Sequence, residues 1–182
     1  MLAFYLGWKL VGLGTGVAAA TLVAVVAYAW ERRQSRRGLA AAIGLAIALV
    51  QATAGLASGS TVAYFAPAVI VNGVYGLAFL VSVAIGRPLA GVLAAETYPF
   101  PPEIKASVLF RRIFTRISLV WATYLMLRAA VRWMILTRAS LDVYIAVNLA
   151  TGFPLTAGIM TWSIWYAVRR FQRAAGSVTS PR

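Results

Sequence analysis

Five apolar runs, each near the ~20 residues a helix needs to cross a bilayer, leave this chain one environment in which to fold. They cover about 10–30, 39–58, 66–85, 117–137 and 143–168. Lipid offers no partner to a backbone N–H or C=O, so such runs must satisfy their own hydrogen bonds as helices. A β-barrel would alternate apolar and polar residues, and these runs are continuous. The expected fold class is all-α: a single transmembrane domain over 1–182, a polytopic helical bundle with five spanning helices. The count becomes six if the N-terminal stub Met1–Lys9 enters the membrane. Met1–Leu6 is read as the head of the first helix, not as a removed leader, since no small-residue cleavage site follows it.

Composition sharpens this. The chain is 62% hydrophobic and 12% charged, with mean hydropathy +0.81. It has no cysteine and no histidine, which excludes thiol chemistry, disulfides and imidazole or thiolate metal sites. The acids are Glu31, Glu96, Glu103 and Asp142, too few and too scattered for a carboxylate cluster, so neither a metal nor another cofactor is expected. A net charge of +13 is read as topology signal and phospholipid contact, not as a nucleic-acid surface.

Punctuation falls between the runs. Gly59-Ser60-Thr61 reads as a turn, and Gly86-Arg87-Pro88 as a helix end. Tyr98-Pro99-Phe100-Pro101-Pro102 breaks any helix there. Ile104 to Phe114 shows one apolar and one basic side, so 89–116 is expected to hold an interfacial amphipathic helix lying on the membrane. Gly152 and Pro154 predict a kink in the last run, and from Arg169 onward the tail reads as polar and frayed. Gly12, Gly14 and Gly16 either allow close helix packing or merely loosen the start of the first helix.

Lysine and arginine counting sets orientation. With the N-terminus outside, the cytoplasmic side holds Arg32, Arg33, Arg36, Arg37, Arg87, Lys105, Arg111, Arg112, Arg116, Arg169, Arg170, Arg173 and Arg182. The outside holds only Lys9 and Arg138, and the C-terminus is cytoplasmic.

Within the fourth run stand Arg128 and Arg132, four residues apart and so on one helical face with Trp121, Tyr124 and Leu125. A cation at membrane depth costs ~2.5–3.5 kcal/mol on insertion scales, so both need partners. Gln51, Asn72 and Asn148 fall at similar depth, and Tyr64, Tyr144 and Asp142 lie nearer the outer end. Two readings stay open. The arginines either bond to carbonyls, Asn72, Gln51 and Asp142 as interhelical glue, or they line an outer-leaflet cavity that hydrogen-bonds above and is apolar below. Pairing of Asp142 with Arg138 or Arg132 is expected, and a carboxylate so paired is a poor proton donor.

Four motifs carry a resemblance over essentially the full length. They are Phe4-Tyr5 with the basic loop after the first helix, Ser82-Val83-Ala84-Ile85-Gly86-Arg87-Pro88-Leu89, Trp121 through Arg128 to Arg132, and Gly152-Phe153-Pro154-Leu155. With these the chain resembles an actinobacterial multi-pass membrane family of unknown function, distantly similar to intracellular septation protein A. It also resembles, more loosely, small integral-membrane terpene cyclases. The first resemblance implies an envelope or septation-associated protein of the bacterial inner membrane, without established chemistry, that binds lipid or a partner helix. The second implies proton-initiated, metal-independent cyclisation of a prenylated small molecule in an intramembrane pocket. There Asp142 or Glu96 would be the proton donor. Trp121, Tyr124, Arg128, Arg132, Asn72, Gln51, Tyr64 and Asn148 would bind substrate. Assembly as a homo-oligomer stays open.

Overall fold

The computed structural model describes residues 2–34 and 39–178, with side chains over 2–34 and 42–174, and every regular element among them is a helix. Arg36 and Arg37 of the basic loop, and Arg182, lie outside the described residues. The helices are α1 (Leu2–Leu10), α2 (Leu13–Arg33), α3 (Leu39–Ser58), α4 (Thr61–Ala84), α5 (Leu89–Thr97), α6 (Pro102–Ala106), α7 (Val108–Arg138) and α8 (Leu141–Val178). Four of them, α2, α4, α7 and α8, are long and apolar enough to cross a membrane. The apolar α3 is shorter where its side chains are described, Ala42–Ser58.

Besides α4, which begins at Thr61 and not near 66, three boundaries differ from the sequence expectation. The N-terminal stub is a helix of its own: Gly12 takes φ 129°, which glycine adopts without a Cβ penalty, and this breaks α1 from α2. The expected interfacial helix over 89–116 is instead α5, α6 and the opening turns of α7. No glycine or proline separates Ser107 from Ser140, so the basic residues Arg111, Arg112 and Arg116 share one helix with the fourth apolar run. Its break falls at Ser107, whose Oγ accepts a hydrogen bond from the Phe110 N–H at 3.1 Å. With 31 residues, α7 is ~46 Å long at ~1.5 Å per residue, more than the ~30 Å of hydrocarbon. Finally, α8 runs unbroken through Pro154 and on past Arg169, Arg170 and Arg173, where a frayed tail was expected.

The described residues form two units, to which α4, α7 and α8 each contribute a segment. The first comprises 1–71 and 131–146. Its core gathers Phe4, Val17, Ala52, Tyr64, Phe65, Val69, Leu136, Tyr144 and Ile145. Phe4 stacks on Tyr64 (centroids 4.3 Å) and meets the edge of Phe65 (4.9 Å), and Phe65 meets Tyr144 at 5.0 Å. This seating of α1 needs Gly16, where a Cβ would lie 2.8 Å from the Phe4 carbonyl and 3.0 Å from the Trp8 Cβ. Around Gly14 there is open space. Of the three glycines, one therefore packs, one breaks the helix, and one does neither.

The second unit comprises 72–130 and 147–182. Phe110, Ile113, Phe114 and Ile117 of α7 form its larger cluster, with Phe100, Trp162, Tyr166 and Phe171 against them. A second cluster joins Phe79, Ala122 and Leu125. The start of α5 is half-buried here, and two serines satisfy two of its free N–H groups. Ser82 Oγ accepts from Leu89 N–H at 2.9 Å, and fully buried Ser118 Oγ accepts from Ala90 N–H at 3.1 Å.

Candidate functional site

The polar side chains of the spans fall into separate groups. In the second unit, the face of α7 that carries Trp121, Tyr124 and Arg128 meets hydroxyls of α8. Trp121 Nε1 donates to Ser163 Oγ at 3.2 Å. The Tyr124 and Thr156 hydroxyls share a hydrogen bond of 2.8 Å. One amino group of Arg128 donates to both, at 3.1 Å to Tyr124 Oη and 3.3 Å to Thr156 Oγ1. The guanidinium also lies 5.8 Å from the Tyr124 ring centre, within cation–π range. Gly152 makes room for it: a Cβ there would stand 3.2 Å from an Arg128 amino group. Arg128 is half-buried, and its Nε has no partner among the described residues.

Arg132 belongs to the first unit and is 6% exposed. It donates to the Tyr144 hydroxyl at 2.9 Å and sits 5.6 Å from that ring's centre; its Nε, too, has no partner among the described residues. The expected pairing with Asp142 does not form. Tyr144 and Asp142 are two residues apart in α8, so their side chains point ~200° apart around the helix axis, and the turn that offers Tyr144 to Arg132 turns Asp142 away. Asp142 is exposed and accepts instead from the Tyr5 hydroxyl of α1 at 2.7 Å. Lys9 donates to the same Tyr5 oxygen at 3.0 Å, and that hydrogen bond, with Asp142 adding its charge, holds the Lys9 ammonium above the usual lysine value.

The remaining expected residues fall as follows. Glu96 is exposed in the last turn of α5. Tyr64 is buried in the aromatic cluster with Phe4 and Phe65. Asn148 is buried, whereas Gln51 and Asn72 are half-buried. Sequence reasoning passed over Tyr5, Thr156 and Ser163. The last two stand seven residues apart, hence on one face of α8, and that spacing matches the stripe of α7.

Two open concavities lie along α7. One, of about 380 Å³, lies along a single face of α7 at Leu119, Val120, Thr123 and Tyr124. The other, of about 430 Å³, is lined by Lys105, Arg111, Arg112 and Arg116 with Ala106, Ser107, Val108 and Thr115. A family model described as a protein of unknown function, DUF3159, matches residues 1–175. No curated protein and no solved structure matches the chain. The chain belongs to that family.

Proposed function

We propose that this member of the DUF3159 family is a non-catalytic, multi-pass protein of the bacterial cytoplasmic membrane that acts by binding lipid. One observation carries the reading: the aromatic and cationic side chains of α7 within the spans are met by hydroxyls of α8. Trp121, Tyr124, Arg128 and Arg132 take Ser163, Thr156 and Tyr144 as partners, in the manner of interhelical glue. Large apolar side chains meanwhile stand exposed along the spans, among them Leu22, Val26, Val74, Leu77, Leu127, Phe153 and Ile164, a surface suited to acyl chains. An envelope role is also what a distant resemblance to septation protein A would imply.

A prenyl cyclase would need a neutral carboxylic acid aimed into a water-excluding cavity. Asp142 is exposed and bonded to Tyr5, and Glu96 is exposed, so the geometry gives that reading less support. Purified protein incubated with prenylated substrates should form no product. Product whose formation Asp142→Asn or Glu96→Gln abolishes would establish the cyclase reading in place of this one.

The topology that goes with the proposal has five spans, α3 included, an outer N-terminus and a cytoplasmic C-terminus. The absence of cysteine makes this directly testable. A membrane-impermeant maleimide applied to intact cells should label Ser60→Cys and Ser140→Cys but not Ser107→Cys. If α3 does not cross, Ser60→Cys stays unlabelled.

A further inference from the structure

We propose that the basic concavity at the start of α7 is a binding site for the phosphate-bearing headgroup of an anionic lipid. The proposal rests on the lipid-binding reading above and gives it a place and a chemistry. Lys105 of α6 and Arg111, Arg112 and Arg116 of α7 line a space of about 430 Å³, and no carboxylate lines it. The helical repeat explains the convergence: Val108, Arg112, Thr115 and Arg116 follow the i, i+4, i+7, i+8 pattern of one face. Ser107 fixes the turn that brings Lys105 beside them. Its Oγ donates to the Ile104 carbonyl at 2.7 Å and accepts from the Phe110 N–H at 3.1 Å.

A neighbouring aromatic side chain holds a further cation close by: Arg116 donates to the Tyr166 hydroxyl at 3.1 Å, and Arg170 lies 5.3 Å from the same ring's centre. Glu103, in the same short helix as Lys105, is exposed and outside the lining.

Planar guanidinium groups offer paired N–H donors that match phosphate oxygens. Exposed Ile104 and Val108 stand next to the cations and give acyl chains a surface that a soluble anion would not use. Basic pockets at the cytoplasmic ends of spans are where anionic headgroups bind. Arg111 and Arg112 are exposed, and the hydrogen bonds that hold the site's shape are made by Ser107 and Arg116.

The test is native mass spectrometry of the full chain in neutral detergent, titrated with phosphatidylglycerol and, separately, with phosphatidylcholine. The wild type should prefer phosphatidylglycerol. The Arg111→Gln/Arg112→Gln pair should bind it roughly 25-fold more weakly, about fivefold for each cation. Arg32→Gln/Arg33→Gln removes the same charge at the exposed end of α2 and should leave binding within about twofold of wild type. Should the first pair fail to fold by circular dichroism, Lys105→Gln/Arg112→Gln takes its place. Equal loss in the two pairs would mean a diffuse field and no site, overturning the proposal. So would displacement of the lipid by millimolar inorganic phosphate, which would mark a soluble-anion site. If wild type and Arg111→Gln/Arg112→Gln hold lipid alike, the site assignment alone fails. If the wild type holds no lipid at all, the lipid-binding reading fails with it.

Discussion

Arg132 shows what a buried cation demands. It is almost wholly enclosed, it has no carboxylate partner among the described residues, and the Tyr144 hydroxyl and ring are its recorded companions. Tyr144→Phe keeps the ring and removes the acceptor, so it should destabilise the protein by about 1–2 kcal/mol, the upper part of the range for hydrogen bonds within membranes. Thermal unfolding in detergent would show this as a lowered Tm. Ser163→Ala removes the weaker bond to Trp121 and should cost about 0.6 kcal/mol. Unchanged stability in both variants would mean that these bonds do not hold the helices. The stripe Trp121, Tyr124 and Arg128 was legible because helical spacing alone puts these residues on one face. Their partners were not, because Thr156 and Ser163 look like any hydroxyl that bonds its own helix, and both do so as well, to the carbonyls of Gly152 and Ile159. The pairing expected for Asp142 failed on a detail of azimuth: opposite charge made the match attractive, and two residues of helical rotation pointed the carboxylate elsewhere.

Two helix ends that the backbone dictates were legible, though the break at Gly12 was not. Gly59 (φ 62°) and Gly86 (φ 76°) close α3 and α4 at the positions their turn chemistry predicts. The amphipathic reading of 104–114 did not foresee one continuous α7, because basic residues on one side look alike on a short amphipathic helix and on the first turns of a long apolar one. Only the absence of any breaker between Ser107 and Ser140 separates the two cases. The glycines of α2 offer a sharp test at this scale. Gly16→Ala would place a Cβ 2.8 Å from the Phe4 carbonyl and push α1 away, costing about 1–3 kcal/mol as overpacking does. Gly14→Ala meets open space and should be neutral or slightly stabilising, since alanine is the better helix former. Unfolding midpoints of the two variants in one detergent would decide it. Equal effects would contradict the seating of α1 against Gly16.

For the molecule as a whole, the apolar runs settled the all-helical class and the scarcity of acids set limits on its chemistry. With so few carboxylates, and with Asp142 and Glu96 both exposed, the cations have little to pair with inside the protein. Those near Ser107 are left facing outward around an open space. That imbalance supports the proposal that the molecule's partners are anionic lipids. The sequence alone could not reveal the concavity, because it depends on the bend at Ser107 that sets Lys105 beside the opening turns of α7. The most direct test is to extract the wild-type protein into a mild neutral detergent and weigh it intact. Bound phospholipid should persist as detergent is stripped away, with no conversion of added prenylated substrate. A lipid-free protein that turns such a substrate into product would contradict the proposal.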